Sequence, residues 1–242
     1  MTRLSHAVED ILRSQKDSGK PLAVILAGHN GSGKSTMWYR HLAKQFQIPL
    51  VNADRMMLSM LPESSTGKPL PEWAISIRDH DTSWIQVAQK GVEAFVAQAM
   101  AKKVPFAMET VFSHRKEVAR GRIESKIDLI LQLQAKGYFV LLLFVGLASD
   151  RLSIARVITR VAYGGHSVSE DKLVSRFPRT QQTIREAVEV ADATILTDNS
   201  RSGKDAFTVC RVQLMDKIVY DCRDEVAAPA PIRMWLDVVC PE

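Results

Sequence analysis

The sequence predicts an α/β fold in which a mostly parallel sheet of five strands lies between two layers of helices. Apolar segments of strand length alternate along the chain with helical segments of ten or more residues, and this alternation is typical of parallel sheets covered on both faces. The first apolar segment, PLAVILAG (21–28), also runs directly into a glycine-rich turn, which is the usual start of a strand–turn–helix unit.

The individual elements follow from hydrophobic periodicity and from the positions of glycine and proline. The predicted strands are 21–28, 48–54, 104–110, 138–146 and 193–199. The predicted helices cover 4–16, 34–46, 81–103, about 115–136, and one segment on each side of Gly164–His166. Residues 61–80, which hold three prolines, predict an irregular excursion. Residues 207–213 and 217–222 predict a β-hairpin at the sheet edge, followed by a loosely attached end.

The size and composition of the chain fit one domain over residues 1–242. The 46% hydrophobic composition is enough to bury a core. We expect an N-terminal helix in 1–20, the core in 20–200, and the hairpin with its tail in 201–242. The longest apolar run, residues 138–148, is about half the length of a transmembrane helix. The charged N-terminus lacks a signal-peptide core, so a cytoplasmic protein with no membrane partner is expected.

The net charge and the cysteines place only weak limits on the kinds of ligand or metal that the protein could bind. A net charge of +5 suits a small phosphate-rich ligand as well as a nucleic acid. The excess is neither concentrated in one run nor interleaved with aromatic residues, so no nucleic-acid partner is expected. The three cysteines, Cys210, Cys222 and Cys240, are widely spaced and match neither a zinc site nor a disulfide framework, which predicts reduced thiols.

The turn after the first predicted strand matches the phosphate-binding pattern G-x-x-x-x-G-K-[ST] in full. Glycines of this turn let backbone N–H groups curl around phosphate oxygens, and the following helix adds its N-terminal dipole. Lys34 is expected to reach the β- and γ-phosphates of ATP, and the Ser35 hydroxyl is expected to ligate Mg²⁺. The ATP-binding residues predicted from this P-loop are Gly28, His29, Asn30, Gly31, Ser32, Gly33, Lys34, Ser35 and Thr36.

Two carboxylates at predicted strand ends favour a small-molecule kinase within the P-loop NTPase class. Asp54 closes the second strand and Glu109 the third, and ligands of open α/β sheets gather at these ends. Neither a GTPase base-reading motif nor the further motifs of a motor ATPase is found. Asp54 is therefore a candidate to deprotonate an acceptor hydroxyl, with a helix cap as the alternative. Glu109 could instead hold a Mg²⁺-bound water.

Two further polar clusters have an ordinary structural explanation beside a functional one. Arg78–Asp81 could ligate a metal, but a loop in which Asp81 caps the long helix is favoured because Asp is a preferred N-cap. Asp198–Ser200 ends the fifth strand and could pass near an adenine, although Asp-Asn-Ser is also common turn chemistry.

The ordered set of motifs resembles the zeta-toxin family of P-loop kinases over most of residues 20–200. The ordered combination, with R-V-x-x-R-V-x-x-G-G-H, is more specific than the phosphate loop alone. The segments that carry the resemblance are GHNGSGKST (28–36), VNADRM (51–56), GVEAF (91–95), METVFS (108–113), RVITRVAYGGHSVSEDKLVSRFPRT (156–180) and ADATILTDNS (191–200).

The resemblance implies a fold like that of adenylate kinase-like nucleotide kinases and a transfer of phosphate from ATP with Mg²⁺. Members of the family phosphorylate the amino sugar of UDP-N-acetylglucosamine, and a partner antitoxin blocks the nucleotide site. Carried over by position, Lys34 and Ser35 are the ATP–Mg²⁺ residues and Asp54 the acceptor-activating base. Glu93 and Glu109 align with acidic residues of the sugar-nucleotide pocket, and Thr110 could assist them; from the sequence alone, Glu93 could also be a solvated helix residue.

The same resemblance implies a lid that carries arginines over the nucleotide. Arg160 aligns with a phosphate-contacting arginine, and Arg156 or Arg176 can support it or bind other phosphates of ATP. Gly164 and Gly165 provide backbone freedom for a short lid turn. His166 stands where relatives have a second lid arginine and is expected, as a catalytic residue, to donate a hydrogen bond in its place. Thr110–Val111 stands where relatives have Gly-Thr. These departures put the acceptor in question more than the reaction.

Other functions stay open on the sequence alone. A gluconate-kinase- or antibiotic-phosphotransferase-like enzyme would share the phosphate loop and use another acceptor. A nucleic-acid-dependent ATPase would use the net positive charge, and its binding would weaken with salt. The leading hypothesis is an ATP-dependent kinase that phosphorylates a hydroxyl of a small metabolite.

Overall fold

The computed structural model describes residues 3–62, 70–118, 121–163, 165, 167–225 and 228–241. The helices are α1 (Leu4–Asp17), α2 (Lys34–Met37), α3 (Ala43–Phe46), α4 (Ala53–Ser59), α5 (Glu72–His80), α6 (Thr82–Lys102), α7 (Ile127–Ala135), α8 (Asp150–Ala162), α9 (Glu170–Val188) and α10 (Ala230–Val239). The strands are β1 (Leu22–Gly28), β2 (Leu50–Val51), β3 (Phe106–Thr110), β4 (Arg115–Glu117), β5 (Ile123–Ser125), β6 (Phe139–Gly146), β7 (Ala193–Asp198), β8 (Thr208–Leu214) and β9 (Lys217–Asp221). A π-helical turn, Trp38–Leu42, joins α2 to α3.

Among the described residues, the main sheet has seven strands in the order β2-β3-β1-β6-β7-β8-β9. The first five run parallel, and β8 and β9 add to the edge in antiparallel orientation. The expected sheet of five strands is therefore too small, because the predicted C-terminal hairpin continues the same sheet. The carboxyl ends of the parallel strands meet at one edge, where the phosphate loop lies.

The sheet is buried on both faces, which produces the three-layer arrangement. β1 and β6 are buried along their whole length, so their side chains alternate between two apolar layers. One layer packs the strands against α6, α7, α9 and α10. The other packs them against α1 and the helical segment that follows the phosphate loop. Continuous apolar strands of this kind are the pattern that the sequence showed at 21–28 and 138–146.

The helix predicted over 115–136 is wrong in its first half. β4 and β5 pair as an antiparallel hairpin, and Gly121 adopts a positive φ of +73° between them. The helix begins only at Ile127. The Asp128 carboxylate, in its first turn, accepts a hydrogen bond from the Ser125 N–H at 3.0 Å. A strand of three residues is too short for its alternation of polar and apolar side chains to be distinguished from a helical pattern.

Two segments expected to be irregular contain helices. Within 61–80, α5 begins directly after Pro71, in keeping with the tolerance of proline at a helix start; residues 63–69 lie outside the described part. The tail expected to be loosely attached forms α10. Trp235 of α10 is buried and stacks on Phe144 of β6 at 5.8 Å between ring centroids. The apolar face of α10 therefore belongs to the core.

Asp81 caps α6, as predicted. Its carboxylate accepts hydrogen bonds from the backbone N–H groups of Ser83 at 2.8 Å and Trp84 at 3.2 Å. The hydrogen bond from the Ser83 hydroxyl is the main cause that lowers the pKa of Asp81. The Asp79 and His80 side chains of the same cluster lie outside the described part. Over the residues that are described, no group of three His, Cys, Asp or Glu is placed to hold a metal.

Cys210, Cys222 and Cys240 are free thiols in the core. Of the helices in the described ranges, none is long and apolar enough to cross a membrane.

Candidate active site

The phosphate-binding loop lies between β1 and α2, in the strand–turn–helix context that the motif requires. β1 ends at Gly28, and α2 begins at Lys34. Gly33, the residue before α2, has φ of +91°, and a Cβ there would lie 2.7 Å from Nδ2 of Asn199. Both the backbone angle and the close contact require glycine at this position. The left-handed conformation of Gly33 thus lets the loop turn sharply into α2.

Lys34 is buried beneath the loop. Its Nζ donates hydrogen bonds to the carbonyl oxygens of Gly28 and His29, each at 3.0 Å. Burial is the main cause that lowers the pKa of Lys34, while the carboxylates of Glu109 and Asp54 oppose that shift. The Arg160 charge acts in the same direction as burial. The charges of Glu109, Asp54 and Arg160 therefore all act on the Lys34 ammonium at the loop.

Ser35 and Glu109 form the best-defined contact across the site. The Ser35 hydroxyl lies 2.9 Å from Oε2 and 3.1 Å from Oε1 of Glu109. The contact follows from the sheet, since β3 lies beside β1 with Glu109 in register with Leu26. A hydroxyl and a carboxylate are the hard oxygen ligands that Mg²⁺ prefers. The donor set fits this ion, and it favours the metal interpretation of Glu109 that the sequence left open.

Asp54 lies in the first turn of α4 and is not needed to cap that helix. Asn52 is the cap, since its side-chain oxygen accepts a hydrogen bond from the Arg55 N–H at 3.2 Å. The Asp54 side chain is exposed, and its charge opposes the lowering of the pKa values of Lys34 and Arg176 that burial causes. A solvent-accessible carboxylate near a lysine and an arginine is available to a bound substrate.

Helix α8 packs directly against the phosphate loop. The Ser153 hydroxyl donates a hydrogen bond to the Asn30 carbonyl oxygen at 2.7 Å. A Cβ at Gly31 would lie 3.0 Å from Cβ of Arg156, so the loop and the helix are in close contact at this point. Burial lowers the pKa of Arg156, and the charge of Asp198 opposes the shift. Arg156 is thus held beside the loop by the packing of its own helix.

Arg160 lies near the end of the same helix and is closely covered by Gly165. The Gly165 N–H donates a hydrogen bond to the Arg160 carbonyl oxygen at 3.0 Å. A Cβ at Gly165 would lie 2.6 Å from Cγ of Arg160, so only glycine permits this approach. The predicted turn glycine therefore allows close packing on an arginine. Gly164 and His166 lie outside the described residues.

Comparison with known proteins places these features in a family. The sequence profile of the zeta toxin family matches residues 6–205. The chain belongs to the zeta toxin family. Family and fold together identify a protein of the P-loop kinase and phosphotransferase type.

Two solved structures illustrate the similarity of fold. The PezAT chromosomal toxin-antitoxin system of Streptococcus pneumoniae matches with a TM-score of 0.55 and 16% identity, over 100% of this chain and 90% of that chain. AvrRxo1-ORF1 in complex with AvrRxo1-ORF2 and ATP matches with a TM-score of 0.56 and 14% identity, over 99% and 70% of the two chains. At these identities the likeness shows the fold alone.

Two curated proteins are similar in sequence to parts of this zeta toxin family chain. A tRNA dimethylallyltransferase of Synechococcus is 37% identical over 67 residues, which are 28% of this chain and only 21% of that protein. An uncharacterized protein of Haemophilus influenzae is 24% identical over 155 residues, 64% of this chain and 91% of that protein. The first match covers about a fifth of its relative, so it adds nothing on activity.

The structure brings together some of the expected zeta toxin site residues and separates others. Lys34, Ser35, Asp54 and Glu109 converge at the carboxyl edge of the sheet. Glu93 lies exposed on α6, and it is not among the charges that act on Lys34. The Thr110 hydroxyl accepts a hydrogen bond from the Phe112 N–H at 3.3 Å, which shapes the loop after β3. Roles for Glu93 and Thr110 in binding an acceptor remain predictions.

Asn199 lies in the Asp198–Ser200 segment that the sequence placed near an adenine, but its side chain supports the phosphate loop, a role that the sequence did not predict. Its Nδ2 donates a hydrogen bond to the Ser32 carbonyl oxygen at 2.8 Å, and its Oδ1 accepts one from the Phe207 N–H at 3.3 Å. A position of Asp198–Ser200 near the adenine does not predict a hydrogen bond from Asn199 to the phosphate loop. The contact depends on the strand order, which places the end of β7 near a loop more than 160 residues earlier in the chain.

Proposed function

We propose that this protein is an ATP-dependent kinase that transfers the γ-phosphate to a hydroxyl group of a small metabolite. The observation that carries the proposal is the position of Asp54. Its carboxylate is exposed and acts electrostatically on Lys34 of the phosphate loop and on Arg176 of α9. An acceptor hydroxyl that reaches this carboxylate is therefore near the groups that hold the transferring phosphate.

The proposed nucleotide contacts follow the loop and the two helices that pack on it. Backbone N–H groups of residues 28–36 and the Lys34 ammonium bind the phosphates, and Arg156 and Arg176 neutralise the remaining charge. Arg160 contacts the transferring phosphate. Ser35 and Glu109 would hold Mg²⁺, and this ion, when bound, would neutralise negative charge on the β- and γ-phosphates.

In the proposed reaction, Asp54 accepts the proton of the acceptor hydroxyl as its oxygen bonds to the γ-phosphorus. The bond between that phosphorus and the β,γ-bridging oxygen breaks, and ADP leaves with the bridging oxygen. Lys34 and Arg160 stabilise the charge that develops on the transferring group, because both are fixed before the reaction begins. General-base catalysis of this kind contributes about 10²–10⁴-fold to a rate.

UDP-N-acetylglucosamine is the first acceptor to test, because the chain belongs to the zeta toxin family. Glu93 and Thr110 are proposed to contact it. We also propose a protein antitoxin partner that covers the nucleotide site, since a structural relative is part of a toxin-antitoxin system. The proposed location is the cytoplasm, where ATP and sugar nucleotides are available.

The decisive experiment combines an acceptor screen with one substitution. Purified protein is incubated with labelled ATP, Mg²⁺ and a panel of hydroxyl-bearing metabolites that includes UDP-N-acetylglucosamine. With the best acceptor, Asp54→Asn is expected to lower kcat by about 10²–10⁴-fold and to leave ATP affinity within a few-fold. Asp10→Asn, an exposed aspartate on α1, is the matched control. A loss of ATP affinity and thermal stability together in Asp54→Asn would show a structural role instead.

A further inference from the structure

We infer that His29 is a positioning residue that couples the phosphate-binding loop to helix α9 and thereby holds Arg176 at the phosphate end of the site. The inference rests on the proposed kinase function. His29 occupies a variable position of the loop motif, where the pattern specifies no residue type, and its ring packs on other aromatic rings.

The ring of His29 is enclosed by two aromatic side chains from different elements. It stacks on Phe177 of α9, with ring centroids 4.0 Å apart and an interplanar angle of 13°. It also meets the edge of Phe144 of β6 at 5.6 Å and 71°. The His29 side chain is 2% exposed. The loop, the central strand β6 and the arginine-bearing helix α9 therefore meet at one imidazole.

The environment keeps this imidazole neutral. Burial, followed by the charge of Lys34, lowers the pKa of His29 to about 3. At neutral pH the ring is an uncharged aromatic surface, which can stack on Phe177 without adding a positive charge beside Lys34. The backbone carbonyl of the same residue accepts the hydrogen bond from Lys34 Nζ, so the stack and the lysine are held by one residue.

The stack is placed where α9 needs support. Pro178 lies inside α9 and supplies no N–H for a helical hydrogen bond, which weakens the helix at this turn. Two side-chain contacts fix the turn from either end. Thr180 Oγ1 donates to the Val111 carbonyl oxygen at 3.2 Å beyond β3, and Phe177 stacks on His29. Loss of the stack removes a direct contact between the N-terminal part of α9 and the loop.

Arg176 is the residue through which this contact reaches the chemistry. It precedes Phe177 in the chain, so the direction of its side chain depends on the same turn of α9. Burial is the main cause that lowers the pKa of Arg176, and the charge of Asp54 opposes the shift. The arginine is therefore partly desolvated near the proposed base. A change in the turn that carries Phe177 moves this guanidinium relative to Asp54.

The test is a double-mutant cycle on kcat. His29→Ala and Phe177→Ala are each expected to lower kcat by about tenfold, the scale set by one aromatic contact, with the Kd for ATP within about threefold. Combining them is expected to give no more than the single loss. In an Arg176→Ala background, His29→Ala is expected to change kcat by less than about twofold. His29→Phe, which keeps an aromatic ring, is expected to restore most of the lost activity.

A matched control separates positioning from loss of packing. Phe95→Ala removes a partly buried aromatic residue of α6 that contacts Phe106 near the start of β3, away from the loop. This variant is expected to lower the melting temperature without the fall in kcat. Phe177 is only partly buried, so Phe177→Ala keeps the inference testable if His29→Ala does not fold.

A second measurement does not depend on turnover. Hydrogen exchange of residues 170–188 is followed with and without Mg²⁺ and an ATP analogue that has a non-hydrolysable β–γ bridge. Protection of α9 by the analogue in the wild type, lost in Phe177→Ala and kept in Phe95→Ala, supports the coupling. Equal protection in all three proteins overturns it, as do multiplicative effects of His29→Ala and Arg176→Ala on kcat. Wild-type protein that binds the analogue but transfers phosphate to no acceptor instead overturns the proposed function.

Discussion

Replacing Glu109 by glutamine distinguishes its two possible roles, as a metal-site residue or as part of the acceptor pocket. The substitution keeps the shape and removes the charge. The Ser35 hydroxyl lies within hydrogen-bond distance of both carboxylate oxygens, at 2.9 and 3.1 Å, but its single proton can be donated to only one of them at a time. The glutamine amide oxygen can still accept from Ser35, so the loss is the charge assistance of one hydrogen bond, about 1–1.5 kcal/mol, which corresponds to roughly tenfold.

The assay is a Mg²⁺ titration of phosphoryl transfer at fixed ATP and acceptor. If Glu109 helps to hold the ion, Glu109→Gln raises the Mg²⁺ concentration needed for half-maximal activity by about ten- to a hundredfold, as removal of a metal-site partner usually does. The KM for the acceptor is expected to change little. An unchanged Mg²⁺ requirement together with a large rise in the acceptor KM refutes this reasoning and returns Glu109 to the acceptor pocket.

Two further substitutions test the cations of the site. Lys34→Ala is expected to abolish most phosphoryl transfer while circular dichroism stays unchanged, because Lys34 neutralises charge that grows on the transferring phosphate; near-normal turnover would refute the kinase assignment. Arg160→Ala is expected to lower kcat much more than ATP affinity, since its contact strengthens during transfer. Arg151→Ala, an exposed arginine of the same helix, is the control for Arg160→Ala, and a kcat within a few-fold of wild type in both variants excludes a role for Arg160.

The central part of the fold could be predicted because its signals are local and strong. β1 and β6 are continuous apolar runs, and α6 has a regular apolar face with a capping aspartate, so each element can be identified without its neighbours. The wrong predictions concern segments whose structure depends on contacts with distant parts of the chain. β4 and β5 are three residues each, and α10 is an amphipathic helix whose attachment depends on a pocket beside Phe144. Neither the pairing nor the pocket can be inferred from nearby residues.

The site residues also divide into those with a local sequence signal and those that depend on distant contacts. Lys34 and Ser35 are identified by a fixed motif, and Asp54 and Glu109 by their positions after apolar runs. The structure then adds a distinction that spacing does not contain, since Glu109 contacts the Ser35 hydroxyl while Asn52, and not Asp54, caps α4. The contacts of Asn199 and Phe177 with the loop were not predicted, because they join segments that are far apart in sequence.

The loop motif leaves four positions unspecified between its first and second required glycines, and in this chain these positions make the contacts with the rest of the site. His29 stacks on α9, the Asn30 carbonyl oxygen accepts a hydrogen bond from Ser153 of α8, and Gly31 lies against Arg156. The Ser32 carbonyl oxygen accepts from Asn199 after β7. In the proposed function the required residues of the motif bind the phosphates, which leaves the unspecified ones free to attach the loop to the elements that carry arginine. The arginine-bearing segment 156–176 is interrupted by glycine because two helices, α8 and α9, must each approach the loop closely. Gly165 allows the chain between them to pack on Arg160.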